Sequence, residues 1–127
     1  MIVVDTSAWI EWLIGSATGA KVEDQLPDPS AWLVPTIVQL ELAKWLTREV
    51  GEDRSDQVIA FTQICQVLQL DTEIALAAAE ACREFKLATA DAIVYASSRS
   101  KGAVLLTCDS HFAGLPNVIL IDKVRPS

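Results

Sequence analysis

The sequence predicts a single α/β domain over residues 1–127: three layers, with a mostly parallel, twisted sheet of four or five strands carrying helices on both faces. Three observations predict it. Short uninterrupted apolar runs, the pattern of strands covered on both sides, recur along the chain. Helical stretches separate almost all of them, and no hairpin-type turn joins two until the C-terminal end. The chain has 127 residues, 51% of them hydrophobic, enough for one sizeable core and too few for two.

Each element has its own signals. Ile2-Val3-Val4 reads as a strand ending at Asp5, after which Thr6 and Ser7 offer hydroxyls to cap a helix over Ala8 to Ile14, ended by Gly15-Ser16. A short helix over 18–25 gives way to the turn Pro27-Asp28-Pro29-Ser30 and a brief strand Ala31 to Val34, stopped at Pro35. Thr36 and Gln39 have capping-box spacing and open a helix that runs to about Val50, before Gly51. Glu41 lies one turn into it, on a narrow polar stripe with Lys44 and Arg48.

A helix over Asp53 to Cys65 leads to a strand at Val67 to Leu70, and Asp71-Thr72-Glu73 caps an alanine-rich helix whose last turn carries Arg83 and Lys86. Leu87 to Thr89 break the chain before a helix with Asp91 in its first turn, where the macrodipole favours negative charge. There Asp91 shares a stripe with Tyr95, Ser98 and Arg99, while Ala90, Ile93, Val94 and Ala96 face the core. After Gly102, Ala103 to Leu106 reads as a buried strand leading to Thr107 and Asp109, and Asn117 to Ile121 supplies a last strand.

Seventeen acidic against ten basic side chains give a net charge of −7, which opposes unassisted binding of a polyanion. A nucleic-acid enzyme of this composition needs bound cations, a local basic rim, or both. No apolar run approaches the ~20 residues of a membrane span, and the start MIVVDTSAW has no signal-peptide pattern, so a cytoplasmic protein without membrane contact is expected. Cys65, Cys82 and Cys108 suit neither a disulfide framework nor a zinc site and read as reduced thiols. Only His111 could serve Cys108 as a base, and the adjacent Asp109 would raise its pKa.

Parallel sheets of this kind place their chemistry beyond the carboxyl ends of the strands, near the point where strand order reverses. Asp5 and Asp109 follow strands at that edge. Taken singly, Asp5 is a turn residue, Glu41 a partner for Lys44 or Arg48, Asp91 a first-turn acid and Asp109 an Asp-Ser turn. Taken together, four acids with no lysine or histidine placed to neutralise them suit a hard divalent cation such as Mg²⁺ or Mn²⁺. Such ions activate water and neutralise phosphate in phosphodiester cleavage. Thr6, Ser7 and Thr107 are placed to orient the carboxylates, besides closing turns. His111 reads as a loop residue or hydrogen-bond partner. Arg83, Lys86, Arg99 and Lys101 flank the Asp91 segment as candidates for nucleic-acid phosphate contacts, or as helix-end charges favoured by the dipole. Trp9, Trp12 and Trp45 lie on helices apolar around most of their circumference, so they fill the core or face a partner.

MIVVDTSAWI, the Glu of TIVQLELAKWL, and TADAIVYASSRSKGAVLLTCDSHF resemble, in order and over essentially the whole chain, the signatures of PIN-domain ribonucleases, in particular VapC-type toxins of bacterial toxin-antitoxin pairs. The resemblance implies a Mg²⁺- or Mn²⁺-dependent endoribonuclease with its acidic quartet at Asp5, Glu41, Asp91 and Asp109. Asp5 and Asp91 would be the main metal ligands, Glu41 and Asp109 would complete the site directly or through water, and Thr107 would support it. It also implies a homodimer and a cognate antitoxin that blocks the site. Three other readings share the fold class. A receiver-like phosphoacceptor domain wants paired acids after the first strand, but Thr6-Ser7 follow Asp5. A dehalogenase-like phosphatase wants Asp-x-Asp, but position 7 is Ser. The third is a catalytically silent, metal-free interaction module.

Overall fold

A computed structural model describes residues 1–125. The elements, in chain order, are β1 (Ile2–Val4), α1 (Thr6–Leu13), α2 (Ala17–Glu23), β2 (Trp32–Pro35), α3 (Thr36–Glu49), α4 (Glu52–Ile64), β3 (Gln66–Leu68), α5 (Thr72–Phe85), α6 (Thr89–Ser100), β4 (Val104–Thr107) and β5 (Val118–Leu120). Short 3-10 turns at Pro29–Ala31 and Ser110–Phe112 complete them. No helix among the described residues is long and apolar enough to cross a membrane.

The sheet runs β3-β2-β1-β4-β5 and is parallel at every pairing. The C-terminal strands are parallel too, joined through the 3-10 turn rather than a hairpin. β1 and β2 are buried throughout and β4 nearly so, which accounts for their uninterrupted apolar sequences, whereas the edge strands β3 and β5 are partly exposed. The chain builds β1, β2 and β3 toward one edge and then returns to add β4 and β5 on the other side of β1. Strand order therefore reverses between β1 and β4, where a crevice opens beyond the carboxyl ends. The register there is Ile2 on Val104, Val3 on Leu105 and Val4 on Leu106, and the Asp5 amide continues it onto the Leu106 carbonyl at 2.8 Å.

Several local signals resolve differently in three dimensions. Asp5 itself is the N-cap of α1, without a side-chain cap bond, so Thr6 and Ser7 lie inside the first turn. Pro35 ends β2 and caps α3, and the Thr36–Gln39 box does not form; Gln39 Nε2 instead donates to Thr62 Oγ1 at 3.1 Å, tying α3 to α4. Asp71 does cap α5, accepting from the Ile74 amide at 2.8 Å. The expected polar stripe of α6 is buried at Tyr95 and Ser98, because the helix lies across β1, β2 and β4. Tyr95 donates to the Pro116 carbonyl and Ser98 to the Tyr95 carbonyl, which satisfies both hydroxyls inside the core.

α1 is held by aromatic packing and by α2. Trp9 is buried and meets Trp12, Trp32 and Phe61 edge-on, its ring centroid 5.2 Å from that of Trp32. Such pairs contribute about 0.5–1.5 kcal/mol each beyond the area they bury. The Ser16 hydroxyl donates to Glu11 at the end of α1 and accepts from the Gly19 amide in α2. α2 comes so close that a Cβ at position 19 would collide with the Glu11 carbonyl. Gly19→Ala is accordingly expected to destabilise the fold by about 1–3 kcal/mol in urea melts, the cost of forcing two helices apart.

Candidate active site

Asp5 occupies the crevice between β1 and β4 and is only 4% exposed. Its Oδ2 accepts from Ser7 Oγ at 2.6 Å and from Thr107 Oγ1 at 2.9 Å. Those hydroxyls in turn accept from the Cys108 amide at 3.0 Å and the Asp109 amide at 2.9 Å. With both hydroxyl protons directed at Asp5, the 3.3 Å contact between the two oxygens carries no hydrogen bond. Ser7 and Thr107 thus lock the carboxylate of one strand to the backbone following the other. Burial pushes the Asp5 carboxyl above its usual range, opposed by the Ser7 and Thr107 hydrogen bonds and reinforced by the charge of Asp109.

The other acids approach from separate elements. Asp91, in the first turn of α6, has its carboxyl pushed up to about 6, first by burial and then by the charges of Asp109 and Asp5, with His111 opposing. Asp109 opens the 3-10 turn and accepts from the His111 amide at 2.9 Å. Glu41, one turn into α3, is held by Thr6 Oγ1 at 2.7 Å rather than by Lys44 or Arg48, and Arg48 pairs with its neighbour Glu49. Among the described residues no lysine or arginine forms an ion pair with Asp5, Glu41, Asp91 or Asp109.

His111, expected as a loop residue or hydrogen-bond partner, joins two of the acids. His111 Nδ1 lies 3.1 Å from Asp109 Oδ1 and 3.7 Å from Asp91 Oδ2. Asp91, Asp109 and His111 each offer a ligand atom within 4.8 Å of the others, a group able to hold a metal ion. The motif signal for His111 is weak, because a histidine two residues after an acid is common and only the 3-10 turn folds it back.

The basic candidates separate. Arg83 is exposed and pairs with Glu80 on α5, and Lys86 ends that helix in the left-handed region, just before α6 and on the side of Asp91. Arg99 and Lys101 lie at the opposite end of α6, Arg99 about 12 Å along the axis from Asp91 at 1.5 Å per residue, so they do not border the acids. Trp9 belongs to the core, while Trp12 and Trp45 are half-buried. Cys108 is buried, and its thiol is pushed up to about 11 by burial and then by the charge of Glu11, which disfavours the thiolate. Asp71 is exposed but opens α5 as its N-cap, accepting from the Ile74 amide, rather than lying in a phosphoacceptor loop at a strand end.

A crevice at a sheet's reversal point, lined by acids from β1, α3, α6 and the turn after β4, coincides with a family assignment: the sequence profile of the PIN domain matches residues 2–117. The chain belongs to the PIN domain family. Solved structures share the fold. A toxin-antitoxin complex from Klebsiella pneumoniae matches with a TM-score of 0.84 at 20% identity, over 98% of this chain and 100% of that one. Mycobacterium tuberculosis VapC20, described as a sarcin-ricin loop cleaving toxin, matches at 0.70 and 22% identity, over 99% and 100% of the two chains. DNA-bound VapBC from Salmonella typhimurium matches at 0.70 and 20% identity, over 94% and 95%. A search of curated protein sequences gave no match.

Two consequences of this PIN-domain site are measurable. Thr107 is fully buried, so Thr107→Val should remove one of the Asp5 hydrogen bonds and cost about 1–3 kcal/mol in a chemical melt. Asp91 also links stability to pH. A carboxyl whose folded pKa is raised stabilises the fold at low pH and loses that contribution as pH rises through about 6. In a metal-free buffer the melting temperature of the wild type should therefore fall, relative to that of Asp91→Asn, as pH rises from about 4 to about 6, and level off above that.

Proposed function

We propose that this PIN domain is a metal-dependent endoribonuclease that hydrolyses RNA phosphodiester bonds as the cytoplasmic toxin of a toxin-antitoxin pair. The observation that carries the reading is the convergence of Asp5, Glu41, Asp91 and Asp109 on one crevice, oriented by Thr6, Ser7 and Thr107 and unpaired with lysine or arginine among the described residues. The similarity in fold to toxin-antitoxin complexes and to a toxin that cleaves the sarcin-ricin loop supports the choice of substrate and partner.

The donor set fits Mg²⁺ or Mn²⁺: hard carboxylate oxygens from four elements, with burial and mutual repulsion that a divalent cation would offset. Asp5 and Asp91 would hold it, with Asp109 and Glu41 completing the site directly or through water. When bound, such an ion supplies the positive charge that activates water and stabilises the phosphodiester transition state. The chain's own residues do the positioning. Ser7 and Thr107 fix the rotamer of Asp5, Thr6 aims Glu41 inward from α3, and the turn after β4 brings Asp109 and His111 against Asp91. Lys86, on the Asp91 side of α6, and Arg83 before it are outer phosphate contacts in this reading.

A cognate antitoxin would block the crevice, and the protein would act as a homodimer. Exposed apolar side chains such as Leu70 and Leu76, and half-buried Trp12, are surfaces such partners could cover.

Wild-type protein with Mn²⁺ should cleave RNA, and Asp5→Asn and Asp91→Asn should each reduce cleavage to background while keeping the wild-type circular dichroism spectrum. Chelation should abolish cleavage reversibly. Equal cleavage by wild type and both variants would point to a contaminating nuclease and overturn the assignment.

A further inference from the structure

Two clefts that share no lining residue border the acids, Asp109 lining one and Glu41 the other. One, of about 550 Å³, is lined by Ser7, Cys108 and Asp109 on one wall and by Lys123 and Arg125, with Asp122, on the other. The second, of about 220 Å³, is lined by Thr6, Glu41, Lys44, Trp45 and Arg48. Thr6 and Ser7 are consecutive in the first turn of α1 and border different clefts, so both clefts open beside the Asp5 end of β1.

Their charges depart from the rest of the molecule. The chain is strongly acidic, with only ten lysines and arginines, yet four of those ten line the two clefts. The four side chains are exposed. Arg48 is engaged only by the exposed neighbour Glu49, a pair of the kind worth little in water. Lys123 and Arg125 follow the last strand, but the backbone that carries them is anchored. The Ile121 amide donates to the Thr107 carbonyl at 2.8 Å, and the Val124 amide donates to buried Thr18 Oγ1 on α2 at 2.8 Å. The close α1–α2 contact thereby extends to the wall of the larger cleft.

Resting on the ribonuclease reading above, we propose that an RNA strand crosses the acidic centre from one cleft into the other. Lys123 and Arg125 bind its phosphates on one side and Lys44 and Arg48 on the other, while Trp45 offers a half-buried ring against which a base stacks. Cationic walls on both sides offset the repulsion between an acidic protein and a polyanion at the one place where they must meet. The scissile phosphate is then held over the carboxylates by its neighbours.

The test uses three double variants that each remove two positive charges: Lys44→Gln/Arg48→Gln, Lys123→Gln/Arg125→Gln, and Arg99→Gln/Lys101→Gln at the far end of α6. Binding of a fluorescent single-stranded oligoribonucleotide is followed across a salt series in the Asp5→Asn background, and cleavage kinetics are measured in the wild-type background. Each cleft pair should lower the slope of log K against log salt by about 1.4, at about 0.7 per lost phosphate contact, and raise KM more than it lowers kcat. The α6 pair should leave the slope unchanged. Unchanged slopes for the cleft pairs, or equal losses for all three pairs, would overturn the proposed path. Failure of the wild type to cleave any RNA would overturn the nuclease reading instead, while the slopes still decide whether the clefts bind RNA.

Discussion

The pairing of β1 with β4 is the constraint on which the rest of the molecule depends. Its register sets Asp5 level with Thr107, and the buried carboxylate then receives two hydroxyl protons, one from the strand opposite and one from the helix that follows its own strand. Because strand order reverses between these two strands, a crevice forms beyond their carboxyl ends. A slip of one residue in this register would turn Asp5 to the other face and Thr107 away from it. The apolar runs of β1 and β4 guard against that slip by being buried along nearly their whole length.

An open crevice lined by acids opposes folding. Burial and mutual repulsion raise the carboxyls of Asp5 and Asp91, and the described residues offer no lysine or arginine as an ion-pair partner to relieve them. The surrounding structure meets the cost with rigid packing: four aromatic rings fasten α1 to β2 and α4, Gly19 lets α2 seat on α1, and α6 is buried from Val94 to Ser98. Stability lies in these contacts, and the site stores electrostatic strain that the proposed cation would release. Such a division is the usual relation between a scaffold and a functional site.

Much of this was legible in the sequence because it rests on local signals. Apolar runs ending in Asp5 and before Asp109 announce strands with acids at their carboxyl ends, and the 3.6-residue pattern places Asp91 in the first turn of α6 and Glu41 one turn into α3. What was not legible depends on tertiary competition. The Thr36–Gln39 box yields to a cross-helix bond with Thr62, and the polar stripe of Tyr95 and Ser98 is drawn inward because backbone carbonyls satisfy it there. Lys123 and Arg125 carry no motif and His111 only a weak one, since their nearness to the acids comes from a tail anchored on Thr18 and from a 3-10 turn. Conversely, Arg99 and Lys101 look adjacent to Asp91 in sequence, yet the length of α6 separates them from it.

The central claim is that the carboxylates of the β1–β4 crevice form a cation site. Anomalous diffraction from crystals soaked in Mn²⁺ near neutral pH tests it most directly. A manganese peak is expected between the carboxylates of Asp5 and Asp91, with Asp109 or Glu41 near it, and should be lost in crystals of Asp91→Asn. A crevice without manganese in crystals where other surface acids bind the ion would contradict it.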